Sequence, residues 1–382
     1  MASAAHKRPR EQRSRTGWLI GALVVVLVGV VAGGTILALR TRSDHSPSAS
    51  ASNEPPVTPL AVLGTSPAAN ATNVAPDTEV TVDLSTGLDP ASALPVFTPP
   101  VAGTWSAASD DVLQFVADGP LVPGAHETMT LPGGHTGMLA ADGKRMARTV
   151  TVPFTVAPGS TLRLQQLLAQ LGYLPVSFVP TTQPTSPQQE ADTQQGTFAW
   201  RWTGLPSSLT SQWVPGTYGV VTRGAVMAFE TQHTLSTTGQ AGPQTWAALL
   251  QAAAAGQGDS QPYDYVYVSK TLPESVAVYQ DGAMAYTTQA NTGVAAAPTA
   301  TGTFPVYEHL QSTTMTGTNP TGSHYVDPNI PWVSYFNGGD ALHGYVRGSY
   351  GFPQSDGCVE MPPSNAAVVW PMTPVGTLVT VA

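Results

Sequence analysis

The 382-residue chain has a single cysteine, Cys358. One cysteine cannot close an intrachain disulfide, so a free thiol in an oxidising compartment calls for a chemical reason. Charge is also scarce, with Asp, Glu, Lys and Arg together making up 10% of the residues. No Gly-rich phosphate loop, His-Glu-x-x-His pattern or Cys/His zinc cluster occurs in the sequence. His126 and His135 lack metal-ligand spacing and suit surface or turn positions. Neither a cofactor nor a metal is therefore expected. What the chain has instead is 37 glycines and 35 prolines, a composition that suits strands, turns and linkers better than long helices. Hydrophobic residues reach 42%, too many for a disordered chain.

Residues 1–17 are basic, and Trp18 to Leu39 follows without a charge. At about 1.5 Å per residue this run spans roughly 33 Å, enough for a bilayer core. A cleavable signal peptide would have a shorter apolar region ending at a small-x-small site, whereas Arg40 and Arg42 follow this run directly. The expectation is an uncleaved transmembrane helix over 18–39, with the basic tail 1–17 cytoplasmic and the rest extracytoplasmic. Beyond Arg42 there are eight basic and 23 acidic residues, which argues against a nucleic-acid partner.

Residues 43–59, rich in Ser, Ala and Pro, read as a flexible tether. Residues 60–157 read as all-β, with alternation at Val80–Leu84 and Thr149–Val156 and turns at Pro123-Gly124, Gly133-Gly134 and Asp142-Gly143. The opening Ser66-Pro-Ala-Ala-Asn-Ala-Thr-Asn-Val-Ala-Pro resembles that of bacterial Ig-like domains and implies a small sandwich serving as a spacer. Residues 160–252 turn helical. Leu162, Leu164, Leu167, Leu168 and Leu171 share one face, Thr222 is a candidate N-cap, and Gly242-Pro243 opens the last helix. With Gly216-Thr-Tyr-Gly, this stretch resembles a three-helix peptidoglycan-binding domain. An insertion at about 176–213, rich in Gln, Thr, Ser and Pro, is expected to be a mobile loop. Trp202 and Trp213 flank it and could offer a sugar-stacking surface or pack inward, and Trp246 is assigned to the core. After a linker at 252–262, residues 263–382 return to strands. Asp281-Gly282 marks a hairpin, and Ser364 is expected to cap a short helix.

The chemistry concentrates between Leu342 and Met361. A lone cysteine is commonly just a small buried apolar residue. Here His343-Gly344 precedes Ser355-Asp-Gly-Cys358 by a glycine-rich stretch that permits chain reversal, and a nearby imidazole raises the thiolate fraction. This order resembles the active-site signature of L,D-transpeptidases with a YkuD-type catalytic domain: His-Gly, a loop, then Ser-His-Gly-Cys-x-Arg or -Asn. Thr299–Phe304 and Thr373–Val381 resemble that family's Thr-Pro-x-Gly-x-Phe turn and closing strand. Two positions depart from the pattern, with Asp356 in place of His and Glu360 in place of Arg or Asn. A carboxylate near the nucleophile disfavours its thiolate, so Glu360 is expected to raise the thiol or to pair with Arg347 and be neutralised, tuning the site in either case.

The resemblance implies a multidomain, mainly β protein with one small α domain. Its parts would be a transmembrane helix, an Ig-like β-sandwich, a three-helix peptidoglycan-binding-like domain and a YkuD-like β-sandwich or barrel. It implies Cys358 as nucleophile and His343 as base, with the Gly344 carbonyl fixing the imidazole tautomer. Backbone N–H groups at Gly357 and Cys358, with Ser355 and Tyr325 nearby, would serve the oxyanion. Arg347 and His324 are candidates for stem carboxylates, and Met315 with segment 312–323 for a lid. The implied partners are peptidoglycan stem peptides, as donor and acceptor, and the membrane. Two other readings fit the same residues. One is a non-catalytic wall-binding protein, with Glu360 marking a decayed site; the other is an L,D-carboxypeptidase using water as acceptor.

Overall fold

The computed structural model describes residues 58–382. The expected basic tail, the membrane span 18–39 and the tether up to residue 57 lie outside the described residues. Among the described residues no helix is long and apolar enough to cross a membrane.

The first eight strands are β1 Val62–Ser66, β2 Ala71–Val74, β3 Val80–Leu84, β4 Val96–Thr98, β5 Gly103–Ala107, β6 Val112–Ala117, β7 His126–Leu131 and β8 Val150–Val156. They form two four-stranded sheets, β1-β3-β6-β5 and β2-β8-β7-β4. Period-2 alternation sends Val80, Val82 and Leu84 inward to meet Met129, Leu131, Val152 and Phe154 from the other sheet. Glu127 also faces this core at 3% exposure, and its Oε2 has no hydrogen-bond partner. Burial pushes that carboxyl up to about 6.

The helical unit comprises α1 Thr161–Gln170, β9 Val176–Pro180, β10 Gly196–Trp200, α2 Ser207–Thr210, α3 Val220–Gln232 and α4 Pro243–Ala255. The Ser160 hydroxyl caps α1 by accepting from the Arg163 N–H at 3.0 Å. Gly242 and Pro243 open α4 as expected, and Gly256 closes it at φ 63°. Thr222 is not a cap. The helix begins at Val220 behind Gly219, and Thr222 is buried inside it, accepting from Gln165 Nε2 at 2.9 Å.

The insertion is likewise folded, contrary to the expected mobile loop. β9 and β10 pair antiparallel with Phe178 opposite Phe198, Phe198 meets Trp213 edge-on, and Leu209 is fully buried. Polar side chains of α1 hold the segment between the strands. Arg163, 1% exposed, donates from Nε and NH2 to the Glu190 carbonyl at 2.9 and 2.7 Å. Gln166 exchanges hydrogen bonds with the Gln194 backbone at 2.8 and 3.0 Å. Satisfying buried backbone groups in this way is what allows a polar insertion to pack.

The last unit contains β11 Asp264–Ser269, β12 Ser275–Gln280, β13 Ala283–Gln289, β14 Gly302–Pro305, β15 Glu308–Thr318, β16 His324–Asn337, β17 Asp340–Gly344, β18 Val359–Met361, α5 Pro363–Val369 and β19 Leu378–Val381. One sheet is ordered β13-β12-β11-β19-β14 and the other β15-β16-β17-β18. Asp281 and Gly282, at φ 51° and 77°, make the hairpin turn. Pro362, not Ser364, stands at the N-cap of α5, and no side chain caps it. Ser364 sits within the first turn and bonds to Asn365 Oδ1.

Residues 252–262 do not separate the helical unit from this last one as a linker would. Tyr265 and Leu378 belong to the helical core, and the Tyr265 hydroxyl donates to Ser208 Oγ at 2.7 Å. Backbone meets backbone at Gly224 and Gly376. A Cβ on either would lie 2.6 or 2.5 Å from the other's carbonyl oxygen, and Gly376 has φ 96°. Trp202 packs on Gly282 and Tyr263 and Trp213 on Phe198, so both tryptophans are engaged in packing.

Candidate active site

The site is built on the parallel pair β17–β18, where Leu342 faces Val359, His343 faces Glu360 and Gly344 faces Met361. Side chains alternate across a sheet. Leu342, Val359 and Met361 accordingly enter the main core between the two sheets. Ala341 and Cys358 fall on the opposite face, in a second cluster with Ile330, Val333, Leu310, Met315, Tyr335 and Tyr345. His343 and Glu360 alternate onto that same face. Cys358 directly precedes β18, one diagonal step from His343. Such neighbours stand roughly 7–8 Å apart at their Cα atoms, within reach of long side chains.

His343 is 3% exposed, and its Nδ1 lies 3.1 Å from the Gly344 carbonyl oxygen. A carbonyl only accepts, so Nδ1 carries the proton and Nε2 is the basic nitrogen. Burial is the main cause holding the imidazole below the usual histidine range. Cys358 keeps part of its surface open, yet burial pushes its thiol up to about 12, with Asp340, Glu360 and Asp356 adding to the shift. The sulfur lies 3.6 Å from the Gly339 carbonyl. The resting pair is therefore a neutral thiol beside a neutral imidazole.

The turn before the nucleophile is held by Ser355, 2% exposed. Its hydroxyl donates to the Cys358 carbonyl at 2.5 Å and accepts the Gly357 N–H at 3.2 Å. This corrects the expectation that Gly357 offers its N–H to an oxyanion, because that single hydrogen is already engaged. Gly357 is nonetheless required there. Its φ is 119°, and a Cβ would lie 2.8 Å from Asp340 Oδ1.

The other expected residues divide. Met315 joins the cluster around Cys358. Segment 312–323 forms one arm and the tip of the β15–β16 hairpin. Tyr325 lies across Gly317, where a Cβ would be 2.6 Å from the phenol oxygen. Burial, followed by the charge of Cys358, raises its phenol. His324 bonds to Thr318 Oγ1 near the hairpin tip at 2.8 Å and is exposed. Arg347 binds Glu360 side-on, with Nε to Oε2 and NH2 to Oε1 both at 2.7 Å. The motif departure at Glu360 is thus a paired carboxylate, while Asp356 is exposed.

Four participants escaped the sequence reading. Tyr345 meets His343 edge-on at 6.1 Å. Tyr335 packs against the same small cluster as Cys358. Asp340 accepts from the Ala300 N–H at 3.1 Å. Asn291, fully buried, accepts from the Gly351 N–H at 3.0 Å and fixes the loop after His343. None carries a sequence signal, because each is placed by contacts that exist only in the folded chain.

Residues 263–381 match the family model of the L,D-transpeptidase catalytic domain, YkuD. The chain carries an L,D-transpeptidase catalytic domain. Two further matches accompany it: a bacterial Ig-like domain at residues 56–156 and a peptidoglycan binding domain at residues 206–249. Solved structures similar to this chain include three of L,D-transpeptidases. An L,D-transpeptidase from Mycobacterium smegmatis is 14% identical, covering 85% of this chain and 100% of its own, at TM-score 0.29. L,D-transpeptidase 3 from Mycobacterium tuberculosis is 12% identical over 84% and 98%, at TM-score 0.29. The catalytic domain of the E. faecium L,D-transpeptidase is 27% identical over 32% and 100%, at TM-score 0.29. No curated protein matches the chain.

Proposed function

We propose that this protein forms peptide cross-links in peptidoglycan through a thioester on Cys358, with His343 as proton carrier. The observation that supports this reading best is the shared face of β17–β18, which carries Cys358 beside an imidazole whose Nδ1 is committed to the Gly344 carbonyl. His343 Nε2 takes the thiol proton as sulfur attacks the carbonyl carbon of the third stem residue. Generating the ion pair only at attack fits a pair that is neutral at rest. The tetrahedral oxyanion would be met by the Cys358 N–H and the Tyr325 hydroxyl. Removing one such donor typically costs about 2.7–4 kcal/mol in the barrier. The imidazolium then gives its proton to the departing D-alanine amine, leaving the thioester. An incoming amine attacks the thioester and completes a cross-link; with water in its place the product would be a trimmed stem.

The helical unit would grip the wall, the sandwich would act as spacer, and residues 18–39 would anchor the chain in the cell membrane with the catalytic domain outside. The test incubates the protein with a carbapenem and reads intact mass, then analyses muropeptides from an overexpressing cell. A Cys358-dependent adduct and new cross-links between third residues are expected. Trimmed stems without cross-links would favour the carboxypeptidase, and a protein with no adduct and no product would be a wall binder.

A further inference from the structure

We infer that Arg347 recognises a carboxylate of the donor stem, with Glu360 as the positioning residue that orients its guanidinium; the inference rests on the acyl-transfer reading above. Glu360 is 4% exposed and shares the sheet face of His343 and Cys358. A carboxylate this buried is costly unless it is paired and hydrogen-bonded. Arg347, on the loop after β17, supplies the partner through two parallel bonds from Nε and NH2. The remaining NH2 hydrogen points to the Gln354 carbonyl at 3.5 Å.

One face of the guanidinium is covered as well, by the Tyr345 ring at 4.6 Å. The same ring packs edge-on against His343. One edge and one face are thus fixed, and the side chain is still 31% exposed. The NH1 group makes no hydrogen bond among the described residues and keeps two donors. A rigid, planar donor pair of this kind fits a carboxylate. The resembling family puts Arg or Asn two residues after the cysteine. Here that position is the acid, and the guanidinium comes from 13 residues upstream.

Next to the scissile bond a stem tetrapeptide can offer two carboxylates, one at its C-terminus and, where the third residue is a diamino diacid, one on that residue's side chain. Binding to the full chain carrying Cys358→Ala separates them. Three soluble stems would be titrated calorimetrically: both carboxylates free, the terminal one as carboxamide, and the side-chain one as carboxamide. One carboxamide is expected to bind about tenfold more weakly, the scale of one charge-assisted hydrogen bond. The stem that weakens names the source. Arg347→Gln should erase the difference. Arg347→Glu with Glu360→Arg, which exchanges the partners, should restore at least part of it. If Arg347→Gln fails to fold by circular dichroism, Arg347→Lys keeps the charge without the fork and should shrink the difference.

Equal binding of all three stems, no binding of any, or a difference that survives loss of the fork would overturn the inference. Turnover by the wild-type chain is read separately. Discrimination without transfer would sink the acyl-transfer reading while leaving Arg347 as the carboxylate contact.

Discussion

Ser355 and Cys358 are tied by a hydrogen bond of 2.5 Å from the serine hydroxyl to the cysteine carbonyl, and the same hydroxyl takes the Gly357 N–H. The serine of the motif therefore closes the nucleophile turn on itself instead of facing substrate. Ser355→Ala removes both bonds and leaves a buried N–H without a partner. A loss of about 1–3 kcal/mol in unfolding free energy is expected, together with slower acylation by a carbapenem. Urea melts and stopped-flow acylation check this. Unchanged acylation with reduced stability would mean that the turn keeps its shape without the hydroxyl.

The neutral resting pair sets the pH dependence. Because His343 sits below the ordinary histidine value, its base form persists as pH falls, and the acid limb of kcat/KM should lie below pH 6.5. The same shift bears on stability. Unfolded His343 takes up a proton near 6.5 while the folded protein resists it, so stability should fall as pH drops below that value. His343→Gln should remove both effects. At the other end, with the Cys358 thiol at about 12, alkylation of the resting protein by iodoacetamide should keep accelerating beyond pH 10. A plateau near pH 8 would contradict a thiol buried among carboxylates.

Pairing decides what Glu360→Asn does. An unpaired Glu360 would only raise the thiol, and replacing it would speed acylation at lower pH. Paired as it is, the change strands Arg347 and breaks a largely buried ion pair. Breaking a fully buried pair costs about 3–5 kcal/mol, and because the arginine end is partly screened by solvent, about 1–3 kcal/mol is expected here. Melting temperature and an acylation pH profile measure this. A more stable variant with a faster low-pH rate would show that the bidentate geometry contributes nothing.

In the sandwich, Glu127 provides an independent pH probe. Its folded carboxyl titrates at about 6 against an ordinary 4.5. Between those values the folded state holds the proton more tightly than the unfolded chain, so stability declines as pH rises through this window. Glu127→Gln should remove that decline and add about 2 kcal/mol near pH 7. Guanidinium melts at pH 4.5 and 7 would test it, and a wild-type protein equally stable at both would refute it.

The parts of this molecule that could be read in its sequence are those where neighbouring residues define the chemistry. His343, Cys358 and the glycines between them stand in an order that a strand, a loop and a second strand can satisfy, and the resemblance of that order to a known signature marks them out. Gly242-Pro243 and Asp281-Gly282 announce their turns through backbone preference. The misreadings share a physical cause. Thr222 and Ser364 look like caps, but Gly219 and Pro362 stop the chain earlier, and a residue inside the first turns cannot cap. Arg163 and Gln166 look like the solvent face of α1; only the fold shows that they turn inward to hold Glu190 and Gln194. A polar insertion reads as loose until the groups that satisfy it are seen, and those lie some 30 residues away. For Glu360 the sequence leaves two outcomes open, a raised thiol or a pair with Arg347, and the fold shows the pair.

The backbone contact between Gly224 and Gly376 leaves no room for even a methyl group, and Tyr265 and Leu378 complete the helical core from the catalytic side. The two units share one core at this seam, which makes the pair a ruler. Under the proposed function, wherever the helical unit gripped a glycan strand, Cys358 would stand at a set offset from it. The stems it could acylate would then be chosen by spacing along the wall as much as by their chemistry. Longer reach would have to come from bending the wall itself, or from letting go and landing again.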